Sequence, residues 1–140
     1  MKNSNKTLAG RTDRRRGAIL SMELIFVLPI VIGLLFAIVE FSMLWTASHL
    51  VKSASTAGCR VATFPGSNAA AVQESVAMAL GRPALIQNCQ VEVRGGVNSG
   101  DEVLVAVRVP MAAAAPDLLG FFGFRLQDRT LEAQTVMRKE

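Results

Sequence analysis

Hydrophobic positions along the chain begin with one long run that helical geometry can explain. Residues 18–45 contain only two charged side chains, Glu23 and Glu40. As an α-helix this run of about 28 residues would be about 42 Å long, which is enough to cross a bilayer once. Apolar and small residues at helical spacing continue through residues 46–58. We therefore expect the helix to extend beyond the membrane until the glycine-bounded segment that starts at Gly58 ends it.

Shorter patterns after this helix predict a small domain. Val72, Val76 and Leu80 share one face of residues 68–80, as in an amphipathic helix that Gly81 ends. Two alternating segments around a glycine-rich turn predict an antiparallel hairpin, and a third alternating segment closes the chain. The predicted strands cover about residues 89–94, 102–109 and 126–138. The fold class is therefore α+β, with a three-stranded antiparallel sheet and one short helix in the domain of residues 46–140.

Residues 111–124 have no clean period and are expected to form a long apolar connection. Three aromatic side chains lie there, Phe121, Phe122 and Phe124. A satellite core cluster or a contact with the membrane surface explains them better than a recognition patch does.

Positive charge is concentrated before the hydrophobic run. The chain carries a net charge of +4, yet residues 1–17 alone are more basic than the whole, and the remainder is slightly acidic. A basic flank next to a membrane span is typical of the cytoplasmic side, so Arg14, Arg15 and Arg16 predict a cytoplasmic N-terminus and an exported domain. Nucleic acid is not expected as a partner, whereas membrane lipid is. A cleaved secretory signal fits less well, because its apolar core usually ends after 7–15 residues.

The two acids of the span raise different expectations. An ionised carboxylate near the bilayer centre costs at least roughly 2.5–3.5 kcal/mol, and residues 18–45 hold no Lys or Arg to pair with Glu23. Its partner should lie outside this helix, unless the helix begins deep in the headgroups. Glu40 is expected to be solvated or interfacial, with an assembly contact as the alternative. Pro29 can kink the span for packing, or it can simply be tolerated.

The remaining chemistry does not indicate an enzyme. Cys59 and Cys89 could form a disulfide in an exported domain, with two free thiols as the alternative. No metal site is expected, because the chain has no CxxC pair and only one histidine, His49, which we interpret as interfacial or structural. Phosphate-binding glycine loops and hydrolase motifs are missing from the sequence, and no cofactor is expected.

Three sequence blocks resemble one family. They are RRRGAILSMELIFVLPIVIGLLFAIVEF, ASTAGCRVATFPG and LEAQTVMRKE, and they are similar to the TadE-like minor pilins, or pseudopilins, of the tight-adherence pilus system. The resemblance covers most of the chain, but residues 111–124 are only loosely similar. It implies a pilin-like fold and a place in the bacterial inner membrane, with a single pass and possible incorporation into a pilus.

The resemblance also implies that the chain is a prepilin. A membrane peptidase would cut between Gly17 and Ala18, and the partners would be this peptidase, other pilins or pseudopilins, and inner-membrane pilus assembly proteins. The new α-amine of Ala18, with an ordinary pKa of about 7.7–8.0, could then pair with Glu23 of a neighbouring subunit. Glu40 and Pro29 are candidates for secondary assembly contacts.

One position departs from the family pattern. The acid usually stands fifth after the cleavage glycine, whereas Glu23 is sixth after Gly17, and one residue turns a helix by about 100°. The alternative is therefore an uncleaved, single-pass membrane-anchored scaffold or binding domain.

Overall fold

The computed structural model describes residues 9–95 and 98–139, with side chains described from Met22 onward. Helix α1, Ala9–Thr63, is 55 residues long and contains Pro29 without interruption. At 1.5 Å per residue it measures about 80 Å, which is far more than one bilayer crossing needs. One helix therefore serves both as the apolar run and as part of the domain.

The other elements form a small α+β domain on the C-terminal half of α1, which agrees with the predicted fold class. Helices α2 and α3 precede the sheet, and a short helix α4 and one turn of 3-10 helix lie between its second and third strands. Their bounds are α2 Ala69–Leu80, α3 Pro83–Gln87, β1 Gln90–Gly95, β2 Glu102–Pro110, α4 Met111–Ala114, the 3-10 helix Leu119–Phe122, and β3 Thr130–Arg138.

The sheet is antiparallel with the order β1-β2-β3, so the strands follow one another as a meander. Register pairs Val105 of β2 with Val93 of β1 and with Thr135 of β3. The inner face of β2 is formed by four valines that are at most 4 % exposed: Val103, Val105, Val107 and Val109. These valines pack against α1 and α2, as the alternation of the sequence predicts.

Helix α1 continues past Gly58, where the sequence suggested a break. A Cβ atom at Gly58 would lie 2.7 Å from Cγ2 of Val76 and 3.4 Å from Cγ1 of Val105. The glycine lets α2 and the sheet approach the helix closely, so its role is packing. A glycine in the sequence can indicate either the end of a helix or a close packing contact, and the residue type alone does not distinguish the two.

Three short helical elements were not predicted: α3, α4 and the 3-10 helix. Gly81, with φ of 61°, ends α2, and Pro83 then starts α3, because proline suits the first helical turn. The expected connection of residues 111–124 contains α4 and the 3-10 helix. Each has only four residues, which is too short for a periodic pattern to reveal.

The predicted disulfide is wrong, because both cysteines are free. The Cys59 thiol is buried under the sheet and lies 3.4 Å from the carbonyl oxygen of Val103. Cys89 precedes β1, whose first residue pairs with Arg108, five positions along β2 from Val103. Five strand residues span about 17 Å, whereas bridged cysteines need Cα atoms within about 7 Å.

Candidate assembly helix

The N-terminal half of α1 carries an exposed apolar surface. Nearly all large side chains between Met22 and Phe41 are at least 39 % exposed, and the most apolar window of this helix has a mean hydropathy of 2.8. The helix is therefore long and apolar enough to cross a membrane. The domain covers the C-terminal half of α1 and reaches back to Gly33 only through the Phe122 ring, so most of the described surface from Met22 onward is free for lipid or for other subunits.

Glu23 lies on this uncovered surface. Its side chain is exposed, and within the described part of the chain it makes no hydrogen bond and no ion pair. Among the described residues this acid therefore has no partner. A partner from outside the chain remains the prediction.

The other residues predicted from the family resemblance belong to the start of the same helix. Gly17 and Ala18 fall within the range of α1, as do the three arginines Arg14, Arg15 and Arg16. Their side chains lie outside the part of the structure that is described. Pro29 is flanked by exposed side chains, so an assembly contact there is also still a prediction.

Glu40 departs most from expectation. The expectation of a solvated carboxylate is wrong, because the residue is only 1 % exposed. Its Oε2 atom accepts hydrogen bonds from the backbone N–H groups of Leu118 at 2.9 Å and Leu119 at 2.8 Å. Oε1 is buried and has no hydrogen-bond partner among the described residues. Glu40 thus ties the start of the 3-10 helix to α1.

The segment that Glu40 holds runs along α1 towards its N-terminus. We call residues 116–124 the aromatic loop. The ring of Phe122 lies against Gly33, where an added Cβ atom would be 3.1 Å from the ring. Gly33 precedes Glu40 by seven residues, so the loop covers about 10 Å of the helix.

An apolar groove opens beside this contact. Its volume is about 590 Å³, and Glu40, Phe41, Leu119 and Phe124 are among its lining residues. The Arg129 guanidinium lies over the Phe124 ring, 4.7 Å from its centroid. One signal for this arrangement is present in the sequence: an acid in an apolar run, together with a later segment rich in aromatic residues. Nothing in the spacing linked the two, because they are nearly 80 residues apart.

Comparison with protein families finds a match within α1. Residues 19–60 match the model described as TadE-like protein. This is the family that the sequence resembles. The matched TadE-like segment contains both Glu23 and Glu40 and ends close to the C-terminus of α1. No curated protein and no solved structure matches the chain.

The family match and the apolar helix together suggest a protein related to the pilus system. TadE-like proteins belong to the tight-adherence pilus system and are typically structural. The apolar N-terminal helix and this family indicate a membrane-anchored protein that interacts with other pilus components. The TadE-like segment is therefore the candidate assembly element.

Proposed function

We propose that this TadE-like chain is a minor pilin or pseudopilin that acts in assembly of a tight-adherence pilus. A prepilin peptidase cuts after Gly17, and the mature subunit packs through the N-terminal half of α1. Before assembly it is held in the inner membrane with its N-terminus in the cytoplasm and its domain exported.

The main support is the exposed apolar surface of α1 between Met22 and Phe41, within a segment that matches the TadE-like family. A soluble domain would bury such a surface, and a simple anchor would not need the acid that it carries. Glu23 is exposed on this surface and has no partner among the side chains described from Met22 onward, which suits a contact made by a neighbouring subunit.

Processing is tested by the mass of the protein in its own membrane. In cells that contain the matching prepilin peptidase, the wild-type chain should lose residues 1–17 and expose Ala18. Gly17→Ala should leave the full-length chain, because a side chain at the cleavage position obstructs the peptidase. Intact-mass spectrometry of the membrane-extracted protein measures both.

Gly10→Ala is the matched control, since it makes the same change at the other glycine of the basic segment. This variant should be processed like the wild type. Wild-type protein that keeps Met1 to Gly17 in these cells, or normal cutting of Gly17→Ala, would rule out the proposed processing.

Charge pairing is tested separately. Glu23→Gln should leave cutting intact but reduce incorporation into pili or pilus complexes, because loss of one member of a buried ion pair costs about 3–5 kcal/mol. Glu74→Gln, on the exposed side of α2, is the control and should assemble normally. Crosslinking and pilus purification measure incorporation. Equal incorporation of Glu23→Gln and wild type would rule out the proposed pairing between Glu23 and the α-amine of a neighbouring subunit.

The alternative is an uncleaved membrane-anchored scaffold or binding domain. One observation favours it: α1 is helical from Ala9 through Gly17, so the peptidase would have to unwind the helix to reach the bond. The intact-mass measurement distinguishes the two functions directly, since the scaffold keeps Met1.

A further inference from the structure

The aromatic loop has an unusual place for a connection in an exported domain. It runs from the sheet along α1 towards the N-terminus of that helix and reaches Gly33, beside the part of the helix that is apolar and uncovered. Phe121 at its tip is 93 % exposed, and Phe122 is 54 % exposed. Exposed phenylalanines at a loop tip mark a contact surface, because their transfer out of water is favourable.

Helix geometry sets the depth of this tip relative to a bilayer. The exposed apolar run from Met22 to Phe41 contains about 20 residues, which matches a hydrocarbon core about 30 Å thick. Trp45, one turn beyond Phe41, is 61 % exposed and stands where an interfacial aromatic residue is expected. Glu40 then lies at the outer edge of the hydrocarbon, and Gly33, with the Phe122 ring on it, lies about 10 Å further in.

The backbone of the loop suits an apolar surrounding. Lipid offers no hydrogen bonds, so backbone groups that enter it must be satisfied within the protein. Glu40 accepts from the amides of Leu118 and Leu119, while Gly123 donates to Gly120 and Phe124 donates to Leu119 within the loop. The 1 % exposure of Glu40 follows from the same arrangement, because the loop covers its carboxylate.

Charged side chains flank the aromatic residues of the loop in the sequence. Asp117 is exposed and precedes the two amides that Glu40 binds, and Arg125 follows Phe124 and is also exposed. Arg129 covers the Phe124 ring. The exposed tip of the loop consists of aromatic side chains and glycines. The Asp117 carboxylate borders this tip, because a Cβ atom at Gly120 would lie 3.0 Å from its Oδ1 atom.

We propose that the aromatic loop, held on α1 by Glu40, inserts its tip into the outer leaflet of the membrane as a second, shallow anchor. The occupant of its exposed surface is lipid acyl chain, because this surface is continuous with the apolar surface of α1 that crosses the bilayer. The two anchors together fix the height and the rotation of the domain over the membrane.

Depth-dependent fluorescence of the full-length protein in lipid vesicles tests the proposal. Trp45 is the only tryptophan, so Trp45→Phe gives a silent background into which Phe121→Trp places one reporter at an exposed site. Its emission should be blue-shifted, quenched by lipids brominated in the upper part of the acyl chain, and protected from aqueous iodide, at a depth of about 5–10 Å. Val136→Trp, on the outer sheet face and 53 % exposed in the wild type, is the control and should respond to iodide alone.

A Phe121→Trp reporter that iodide quenches as strongly as the Val136→Trp reporter would overturn the insertion. Contact with a second copy of the chain is the other outcome to distinguish. It would protect the reporter from iodide only at high protein-to-lipid ratios and would give no quenching by brominated lipid, which also contradicts the proposal.

The role of Glu40 is tested in the same reporter. Glu40→Leu removes the acceptor of two amides and should release the loop, so that quenching by brominated lipid falls and quenching by iodide rises. Glu40→Gln keeps a carbonyl oxygen that can accept both hydrogen bonds and should retain the wild-type depth. Equal depths in Glu40→Leu and Glu40→Gln would show that Glu40 does not hold the loop.

Discussion

The two halves of α1 are one continuous helix but use opposite residue types for contact. Its C-terminal half buries small side chains, and its N-terminal half leaves large ones uncovered. Those buried in the domain include Ala47, Ala54, Ser55, Cys59 and Ala62, whereas the exposed ones include Leu24, Ile25, Phe26, Leu34 and Leu35. Small residues let the sheet and α2 come close to the helix axis. Large ones offer area to a partner outside the chain, whether lipid or another subunit.

This contrast explains why hydropathy alone does not divide the helix. Both halves are apolar by composition, and the candidate span covers Met22–Thr63 without a gap. Side-chain volume separates the two halves better, because small residues are required where backbones approach. The helix thus changes from a packing surface to an uncovered surface near Glu40, where the aromatic loop begins its contact.

The largest expected effect on the stability of the domain is that of a substitution at Gly58. Gly58→Val would place a branched side chain where a single Cβ atom already lies 2.7 Å from Val76. We expect the free energy of unfolding of the domain to fall by about 3 kcal/mol, at the upper end for overpacking. Urea unfolding in detergent micelles, followed by circular dichroism, measures the change.

The same change at Gly33 is the matched control, since helix propensity changes equally at both sites. The atoms nearest to a Cβ at Gly33 belong to the ring of Phe122, which is half exposed and can move. Gly33→Val should therefore cost less than about 1 kcal/mol. Equal losses of unfolding free energy in Gly58→Val and Gly33→Val would contradict the view that only the C-terminal half of α1 is closely packed.

A smaller effect is expected from a pair of valines on α1. Val51 is 1 % exposed, whereas Val39 is 48 % exposed. Val51→Ala should lower the free energy of unfolding by about 2 kcal/mol, because it removes buried methyl groups and leaves a cavity. Val39→Ala should change it by no more than about 0.5 kcal/mol. Thermal unfolding of both variants in the same micelles tests the difference, and a loss at Val39 as large as at Val51 would show that the N-terminal half also packs within the chain.

Much of the fold follows from the sequence because its patterns are local. The alternation of Val103 to Val109 and the spacing of Val72, Val76 and Leu80 report directly which faces are buried. The family resemblance is carried by the same kind of contiguous signal, and the match over residues 19–60 confirms it.

The candidate site was harder to predict, because its central contact is not local. Glu40 is hydrogen-bonded by the backbone amides of Leu118 and Leu119. Almost every residue type carries a backbone amide, so the residue types at these two positions do not indicate the contact. A solvated acid was the reasonable expectation without that loop. The disulfide prediction failed for a related reason. An even number of cysteines permits a disulfide, but the strand register that separates the two cysteines cannot be read from their spacing in the sequence.

The smallest expected effect on stability is that of the ion pairs on the outer face of the sheet. Several exposed side chains there are charged, whereas nearly all of those described on the N-terminal half of α1 are apolar. Arg108 donates to Glu132 across β2 and β3 at 3.0 Å, and Gln134 donates to the same carboxylate. The Arg108 hydrogen bond, followed by that of Gln134, lowers the pKa of Glu132, while Glu132 raises the pKa of Arg108.

The direction of the pH effect follows from that lowered pKa. As the pH falls, the unfolded chain takes up the proton on Glu132 first, so the small stabilisation is complete above the unfolded pKa and is lost as the pH falls through the folded pKa. Arg108→Gln should return the pKa of Glu132 towards its usual range, and Gln134→Ala should do so by less. An NMR titration of the Glu132 carboxyl group in micelles measures both. An unchanged titration in Arg108→Gln would mean that this exposed pair does not form in solution.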